Sequence, residues 1–400
     1  MITKNEVKQS FFIGLWFMVL TFPIMVIKVD TIKNLVVFRW ERVAFVGILG
    51  FFASLIWNYF LRLKDERKKA EIGDSTPIVH RILGNEKFRP IFIIAMIVFA
   101  IAYPFVMPMY HTSIMISALV YVMLGLGLNI VVGLAGLLDL GYVAFYAVGA
   151  YAYALLNLHF GISFWVVLPI SALLGALFGT LLGYPVLRLR GDYLAIVTLG
   201  FGEIIRIILE NWNDFSNGPR GIPNIPAPSF FGHLFSQHNS VIYLYFIIIA
   251  LCILTIFFVN RLENSRIGRA WIALRDDEIA CQAMGVDKTK TKLTAFALGA
   301  TWAGMAGVIF AAKTSYINPM SFTIWESITI LCVVVIGGMG SAIGVIAGAL
   351  VLILVPEYLR AVAEYRMLVF GAMQVIVMVF KPEGLIQAVR KTYKFEKQKD

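Results

Sequence analysis

The sequence predicts an all-α integral membrane protein with about 12 (10–12) transmembrane helices, some of them broken. Three observations indicate this fold class: long apolar stretches, an uneven distribution of loop charge, and glycine clusters that interrupt two of the stretches. Hydrophobic residues make up 60% of the 400 residues and charged residues only 14%, whereas soluble domains carry about 25% charged residues. The excess of apolar side chains therefore requires a lipid environment.

Apolar stretches near the roughly 20 residues needed to cross the hydrocarbon core are the first observation. The clear ones are residues 11–27, 43–61, 91–107, 113–133, 163–184, 241–259, 291–311 and 365–380. Shorter or interrupted ones are residues 138–158, 193–209, 325–336 and 341–357. If all of them cross the membrane, both ends of the chain lie on the same side.

The charge of the intervening loops gives the orientation. With the N-terminus in the cytoplasm, the cytoplasmic segments hold 25 Lys and Arg residues and the opposite segments hold 8. This asymmetry follows the positive-inside rule and predicts a multi-pass inner (cytoplasmic) membrane protein with both termini in the cytoplasm. Because the net charge of +10 is confined to these loops, we expect membrane lipid and not nucleic acid as the surrounding partner.

One linker divides the chain. Residues 62–90 are charged, contain Gly73, Pro77 and Gly84, and show no apolar period. They separate an N-terminal two-span hairpin, residues 1–61, from a membrane core at 91–385 and a cytoplasmic tail at 386–400. The hairpin is either an addition for packing or partner docking, or a simple extra anchor.

Glycines occur in two patterns. Gly175, Gly179 and Gly183 repeat at every fourth position, which predicts a smooth helix face for close packing against another helix. Other glycines cluster inside apolar stretches, around residues 125–141 and 337–340, and predict broken helices whose unwound backbone lines a cavity or is covered by protein. The candidates to line a translocation path or to form the breaks are Asn129, Gly133, Gly136, Asp139, Glu203, Arg206, Gly337, Gly338 and Gly340.

Polar residues at membrane depth are few. Glu203 and Arg206 can pair at i,i+3 on one helix face, and we expect Asp139 to cap a helix end. A proton-driven relay would need several buried acids, so the path is predicted to be largely apolar. No Ser/His, paired Asp or HExxH arrangement, metal-binding cysteine spacing or GxxxxGK[S/T] phosphate loop occurs in the sequence. We therefore expect no catalytic site, no metal and no cofactor.

The segment from Ser265 to Asp287 lies in a predicted cytoplasmic loop. Its residues 273–284 predict one short helix that ends at Gly285, with Ile279 and Ala283 on an apolar face. Such a helix on the membrane surface suits docking into a groove of a partner protein.

This segment also carries a resemblance to a known family. Residues 278–285 resemble the EAA-type loop with its trailing glycine, by which ABC-importer permeases engage their ATPases. The chain resembles the LivM-type permeases of high-affinity branched-chain amino-acid ABC transporters over about residues 115–390. The stretches that carry this resemblance are residues 133–151, 185–206, 265–287, 292–297, 321–327 and 337–341.

The resemblance implies a type II ABC-importer-like bundle in a bacterial inner membrane that moves leucine, isoleucine or valine. It implies four kinds of partner: a second related permease subunit, two cytoplasmic ATPase subunits, a periplasmic amino-acid-binding protein, and membrane lipid. Transport of another amino acid, urea or a short amide stays open, as does an ion-coupled secondary amino-acid carrier. The residues to which the resemblance gives ATPase coupling are Arg269, Arg275, Asp277, Glu278, Ala280 and Gly285.

Overall fold

The structure is a computed structural model with two compact units, Met1–Arg81 and Ile82–Asp400. The residues that it describes are 4–25, 27–30, 35–38, 41, 45, 47–48, 50–52, 54–55, 100–186, 189, 191–229, 237–358, 366–381 and 384–386. The linker 62–90, nearly all of the tail 386–400, and most of the predicted spans 43–61 and 91–107 lie outside these residues.

The first unit begins with helix α1 (Lys4–Met25), which contains most of the span predicted over residues 11–27. It continues with two antiparallel strands, β1 (Ile27–Asp30) and β2 (Leu35–Phe38). The pairs in register are Ile27 with Phe38, Lys28 with Val37, Val29 with Val36, and Asp30 with Leu35. The β-branched residues of both strands favour extended pairing, and this short strand pair is a local addition to the predicted all-α fold.

The described residues of the second unit are mostly helical and include one pair of two-residue strands. Its longer helices are α2 (Met109–Leu128), α3 (Val143–Phe160), α4 (Phe164–Val186), α5 (Asp192–Asn211), α6 (Gln237–Glu263), α7 (Arg266–Asp276), α9 (Lys288–Thr314), α10 (Ile324–Gly337), α11 (Ala342–Tyr358) and α12 (Arg366–Phe380), with the six-residue α8 (Glu278–Ala283) between α7 and α9. A π-helical turn, Asn129–Leu134, extends α2. Strands β3 (Ile222–Pro223) and β4 (Tyr316–Ile317) pair antiparallel and join the loop after α5 to the end of α9.

Six helical stretches within the described residues are long and apolar enough to cross a membrane. They are Met109–Leu134, Val143–Phe160, Phe164–Val186, His238–Glu263, Lys288–Thr314 and Pro319–Gly337. Helices α11 and α12 are apolar but shorter, and α5 carries charged residues along its length. The described residues therefore contain six candidate membrane spans, as in a multi-pass helical membrane protein, while about twelve crossings stay a prediction.

The outer face of α4 carries a stripe of exposed leucines. Leu173, Leu177 and Leu181 recur at every fourth position and are all exposed. Residues at this spacing lie on one side of a helix, and an exposed stripe of leucines would be unfavourable in water. This side of α4 is therefore suited to contact with lipid rather than with water.

The inner face of α4 packs on α9, which lies at the centre of the bundle. A Cβ atom placed on Gly179 would lie 2.7 Å from both the carbonyl oxygen of Phe296 and the Cβ of Ala300. Gly175 faces the backbone of Ala300 in the same way. The four-residue glycine repeat thus lets two helix backbones touch, and dispersion contacts between them replace side-chain packing.

Replacing Gly179 by leucine should greatly lower the amount of folded protein. The new side chain has no space between α4 and α9, and overpacking of this kind costs about 1–3 kcal/mol or more. The amount of protein recovered in detergent and its melting temperature measure the effect. Gly200→Leu on α5 is the matched control, because nothing lies within 4 Å of a Cβ at that position. Equal melting temperatures for both variants would contradict the packing described here.

Candidate functional site

The segment 265–287 folds as two short helices and not as the single predicted helix over residues 273–284. Helix α7 ends at Asp276 and α8 begins at Glu278, with Asp277 extended between them (φ −153°, ψ 112°). The Oδ1 atom of Asp277 accepts hydrogen bonds from the backbone N–H groups of Ile279 at 2.8 Å and Ala280 at 3.0 Å. Aspartate is a preferred N-cap residue. Asp277 therefore starts α8 at a position where the hydrophobic pattern alone would continue α7.

Buried contacts fasten this segment to α9. Trp271 of α7 is fully buried, and its Nε1 donates to the carbonyl oxygen of Thr291 at 2.9 Å. The carboxylate of Glu278 lies 2.9 Å from Lys292 Nζ and 3.8 Å from Lys288 Nζ, measured at Oε1. The side chains of Glu278 and Lys292 are only 14% and 4% exposed, so this ion pair is largely removed from water. Glu278 therefore faces its own chain.

The opposite side of α8 is apolar and exposed. Ile279 is 69% exposed and Met284 is 84% exposed, and Ala280 and Ala283 are exposed beside them. Ile279 and Ala283 match the predicted apolar face, whereas Met284 was not singled out from the sequence. A flexible methionine next to isoleucine is typical of surfaces that receive a partner.

The end of the segment has its own local structure. Gly285 has φ of 85°, a conformation that stops a helix and that residues with a Cβ rarely adopt. Asp287 then caps α9, with Oδ1 accepting from Thr289 N–H at 3.0 Å and Lys290 N–H at 3.2 Å. The hydrogen bond from the Lys290 backbone lowers the pKa of the Asp287 carboxyl below its usual value.

Two breaks interrupt the helices of the bundle. At the first break, residues 129–142, α2 widens into the π-helical turn Asn129–Leu134 and then loses helical structure before α3. At the second break, residues 337–341, Gly338 and Gly340 have φ of 120° and 87° between α10 and α11. Both regions are largely buried, so protein covers their unwound backbone.

The two breaks contact each other directly. The Oδ1 atom of Asn129, in the first break, accepts a hydrogen bond from the backbone N–H of Gly340, in the second, at 2.8 Å. Gly133 permits this approach, because a Cβ there would lie 2.6 Å from the same nitrogen. The candidates Asn129, Gly133 and Gly340 thus form one cluster, although 211 positions separate Asn129 from Gly340.

The segment 265–287 reaches this cluster through one arginine. The Nη1 atom of Arg275 donates a hydrogen bond to the carbonyl oxygen of Gly133. Gly136 makes room for the arginine stem, since a Cβ at that position would lie 2.6 Å from Arg275 Cγ. A surface helix, a π-helical turn and a second broken helix are therefore connected by two hydrogen bonds.

Three further candidates have local partners. Asp139 is fully buried, and its Oδ1 accepts from Gly141 N–H at 2.9 Å, so it organises the turn before α3. Arg206 contacts Glu203 at 2.8 Å and also Glu210 at 2.6 Å, and all three lie along α5. The pairing expected at i,i+3 is present, and the Glu210 contact extends it.

A cavity of about 570 Å³ was not anticipated from the sequence. It lies between the first turns of α2 and α10 and the last turns of α9 and α11. Its charged lining residues are Lys313, Glu326 and Glu357. Charges at the ends of apolar spans were visible in the sequence, but their meeting at one point depends on four separate helices.

Known proteins are similar in sequence to most of this chain. The profile of the family described as branched-chain amino acid transport system / permease component matches residues 110–378. The high-affinity branched-chain amino acid transport system permease protein LivM of Salmonella typhimurium is 42% identical over 92% of this chain and 89% of its own length. LivM of Escherichia coli is 43% identical with the same coverage.

A more distant relative broadens the comparison. The permease protein LivH of Escherichia coli is 24% identical over 66% of this chain and 91% of its own length. No solved structure matches the chain. With the family profile matching residues 110–378, and two LivM proteins 42% and 43% identical over 92% of the chain, this chain belongs to the branched-chain amino acid transport permease family.

Proposed function

We propose that this chain is one permease subunit of an ATP-driven importer for leucine, isoleucine and valine in a bacterial inner membrane. The LivM relatives belong to branched-chain amino acid transport systems, which supports this substrate class. LivH, a second permease protein of a similar system and a distant relative of this chain, supports a related permease subunit as partner. Two cytoplasmic ATPase subunits and a periplasmic amino-acid-binding protein complete the proposed complex.

The observation that carries this proposal is the connected set of contacts between the surface and the buried breaks. An ATPase would dock on the exposed apolar side of α8, at Ile279 and Met284. A displacement of α7 would then act on Gly133 through Arg275 and on Gly340 through Asn129. A push at the surface would thereby reach the positions where the helices are unwound, as alternating access requires.

The residues of the segment divide into two roles. Asp277 and Glu278 position α8, the first as its N-cap and the second through its ion pair with Lys292. Arg269, Ala280 and Gly285 are exposed and would form the surface that the ATPase touches. Glu278 would therefore act through the placement of α8.

The proposed topology places the segment 265–287 in the cytoplasm, together with both termini of the chain. About twelve crossings would then be arranged as a hairpin at residues 1–61 and a permease core at 91–385, with the linker 62–90 and the tail 386–400 on the cytoplasmic side. The excess of Lys and Arg in the proposed cytoplasmic loops supports this orientation.

Uptake of radiolabelled leucine into vesicles that contain the whole complex tests the proposal. We expect uptake to need ATP on the side of the ATPases and the binding protein on the opposite side. An ATPase with its phosphate-binding lysine replaced should stop it, and isoleucine and valine should compete where urea does not. Leucine uptake by this chain alone, driven by an ion gradient without ATP, would instead identify a secondary carrier and overturn the proposal.

A further inference from the structure

The cavity between α2, α9, α10 and α11 combines charges of both signs with an apolar wall. We propose that it binds a zwitterionic aliphatic amino acid on the translocation path. Lys313 would hold the carboxylate of the ligand, and Glu326 with Glu357 would hold its ammonium group. This inference rests on the proposed function and names a substrate site within it.

The size of the cavity suits a small ligand. Its volume of about 570 Å³ lies within the range of about 300–1,000 Å³ that is usual for small-molecule sites. Such sites are mostly apolar and carry a few polar groups that fix the orientation of the ligand. Ile114, Leu352, Ile353 and Pro356 form the apolar part here, where a branched aliphatic side chain would be removed from water.

Neutral hydroxyl groups hold the charged groups of the lining. Lys313 Nζ donates to Ser117 Oγ, and Tyr121 Oη donates to the carboxylate of Glu326. Tyr110 Oη donates to Glu357 Oε1 at 2.6 Å. A hydroxyl partner orients a charge without neutralising it, and Lys313 also attracts Glu357 electrostatically, so the lining presents both signs of charge to a ligand with one positive and one negative group.

The position of the cavity along the bundle agrees with this role. Lys313 lies in the last turn of α9, whereas Lys292, which pairs with Glu278, lies in its first turns. The 21 residue steps from Lys292 to Lys313 correspond to about 30 Å of helix, the thickness of the hydrocarbon core. The cavity is therefore on the side of the membrane opposite the segment 265–287, where the proposed binding protein would deliver its amino acid.

Cysteine labelling of the whole complex tests the site without relying on transport alone. Ser113 lines the cavity, so Ser113→Cys is introduced after Cys252, Cys281 and Cys332 have been replaced by alanine. The rate of modification by a methanethiosulfonate reagent is then measured with and without leucine. Met320→Cys serves as the control for the reagent, because Met320 is exposed and lies outside the lining.

We expect leucine to slow the modification of residue 113 but not of residue 320. Protection should need about tenfold more 4-methylpentanoate, which lacks the ammonium group, or 3-methylbutylamine, which lacks the carboxylate. Lys313→Met should weaken protection by leucine about tenfold, whereas Lys313→Arg keeps the positive charge and should retain it. The amount of assembled complex is compared for every variant.

The outcomes separate this inference from the proposed function. If the complex with Ser113→Cys imports leucine but leucine leaves the labelling of residue 113 unchanged, the cavity is not a substrate site and the proposed function stands. Equal protection by the acid, the amine and leucine would overturn the zwitterion site in the same way. If the wild-type complex imports no branched-chain amino acid, both proposals fail.

Discussion

Glu278→Arg is expected to abolish ATP-driven leucine uptake while the chain still inserts into the membrane. The substitution places a third positive charge beside Lys292 and Lys288, where the Glu278 carboxylate now lies 2.9 Å from one Nζ and 3.8 Å from the other. Removing one partner of a largely buried pair costs about 3–5 kcal/mol, because the remaining charge keeps its desolvation penalty. Helix α8 should then detach from α9 and no longer present its apolar face to the ATPase.

A comparison of two lysines tests whether the buried pair is the cause. Lys292→Met should reproduce the transport defect, and the double variant Glu278→Gln/Lys292→Met should recover part of the activity because no unpaired charge remains. Lys290→Met is the matched control, since Lys290 is 84% exposed and its pair with Asp287 is worth at most about 1 kcal/mol. Co-purification of the ATPase measures docking. Normal uptake by Glu278→Arg would refute the role of this pair.

Arg275→Met is expected to uncouple ATP hydrolysis from transport. Its guanidinium donates to the Gly133 carbonyl, and a hydrogen bond to a charged group contributes about 1.5–3 kcal/mol. Without it, α7 can still be held by Trp271 and moved by an ATPase, but the motion no longer reaches the first break. Leucine uptake should fall about 10- to 100-fold while ATP hydrolysis continues.

Arg266→Met provides the control for this prediction, because Arg266 is an exposed arginine on the same helix. The ratio of ATP hydrolysed to leucine imported should rise for Arg275→Met and stay unchanged for Arg266→Met. Asn129→Ala, which removes the acceptor for Gly340 N–H, should raise the ratio in the same direction. A parallel loss of hydrolysis and uptake in Arg275→Met would indicate a defect in ATPase docking instead.

Sequence reasoning was most successful where length and hydropathy decide the structure. The spans predicted over 113–133, 163–184, 241–259 and 291–311 correspond to α2 with its π-helical turn, α4, α6 and α9. The glycine clusters also indicated where helices are interrupted, because a glycine among apolar residues weakens a helix. These signals are local and are visible without knowledge of the fold.

Features that depend on one atom or on distant residues were missed. The break at Asp277 arises from a side-chain oxygen that competes for two backbone N–H groups, and hydrophobic periodicity continues across it. The inward direction of Glu278 depends on Lys292, on the next helix. The hydrogen bond between Asn129 and Gly340 and the charged cavity bring together positions far apart in the chain, which no local pattern can predict.

The close backbone contact between α4 and α9 has a mechanical consequence. Two helices that touch at Gly175 and Gly179 have no side chains between them that could change rotamer and let one helix slide past the other. They would behave as one stiff lever that carries Lys292 near one end and Lys313 near the other. A tilt of this lever at the ATPase side would displace the cavity on the far side at the same moment, in addition to the motion that Arg275 passes to the first break.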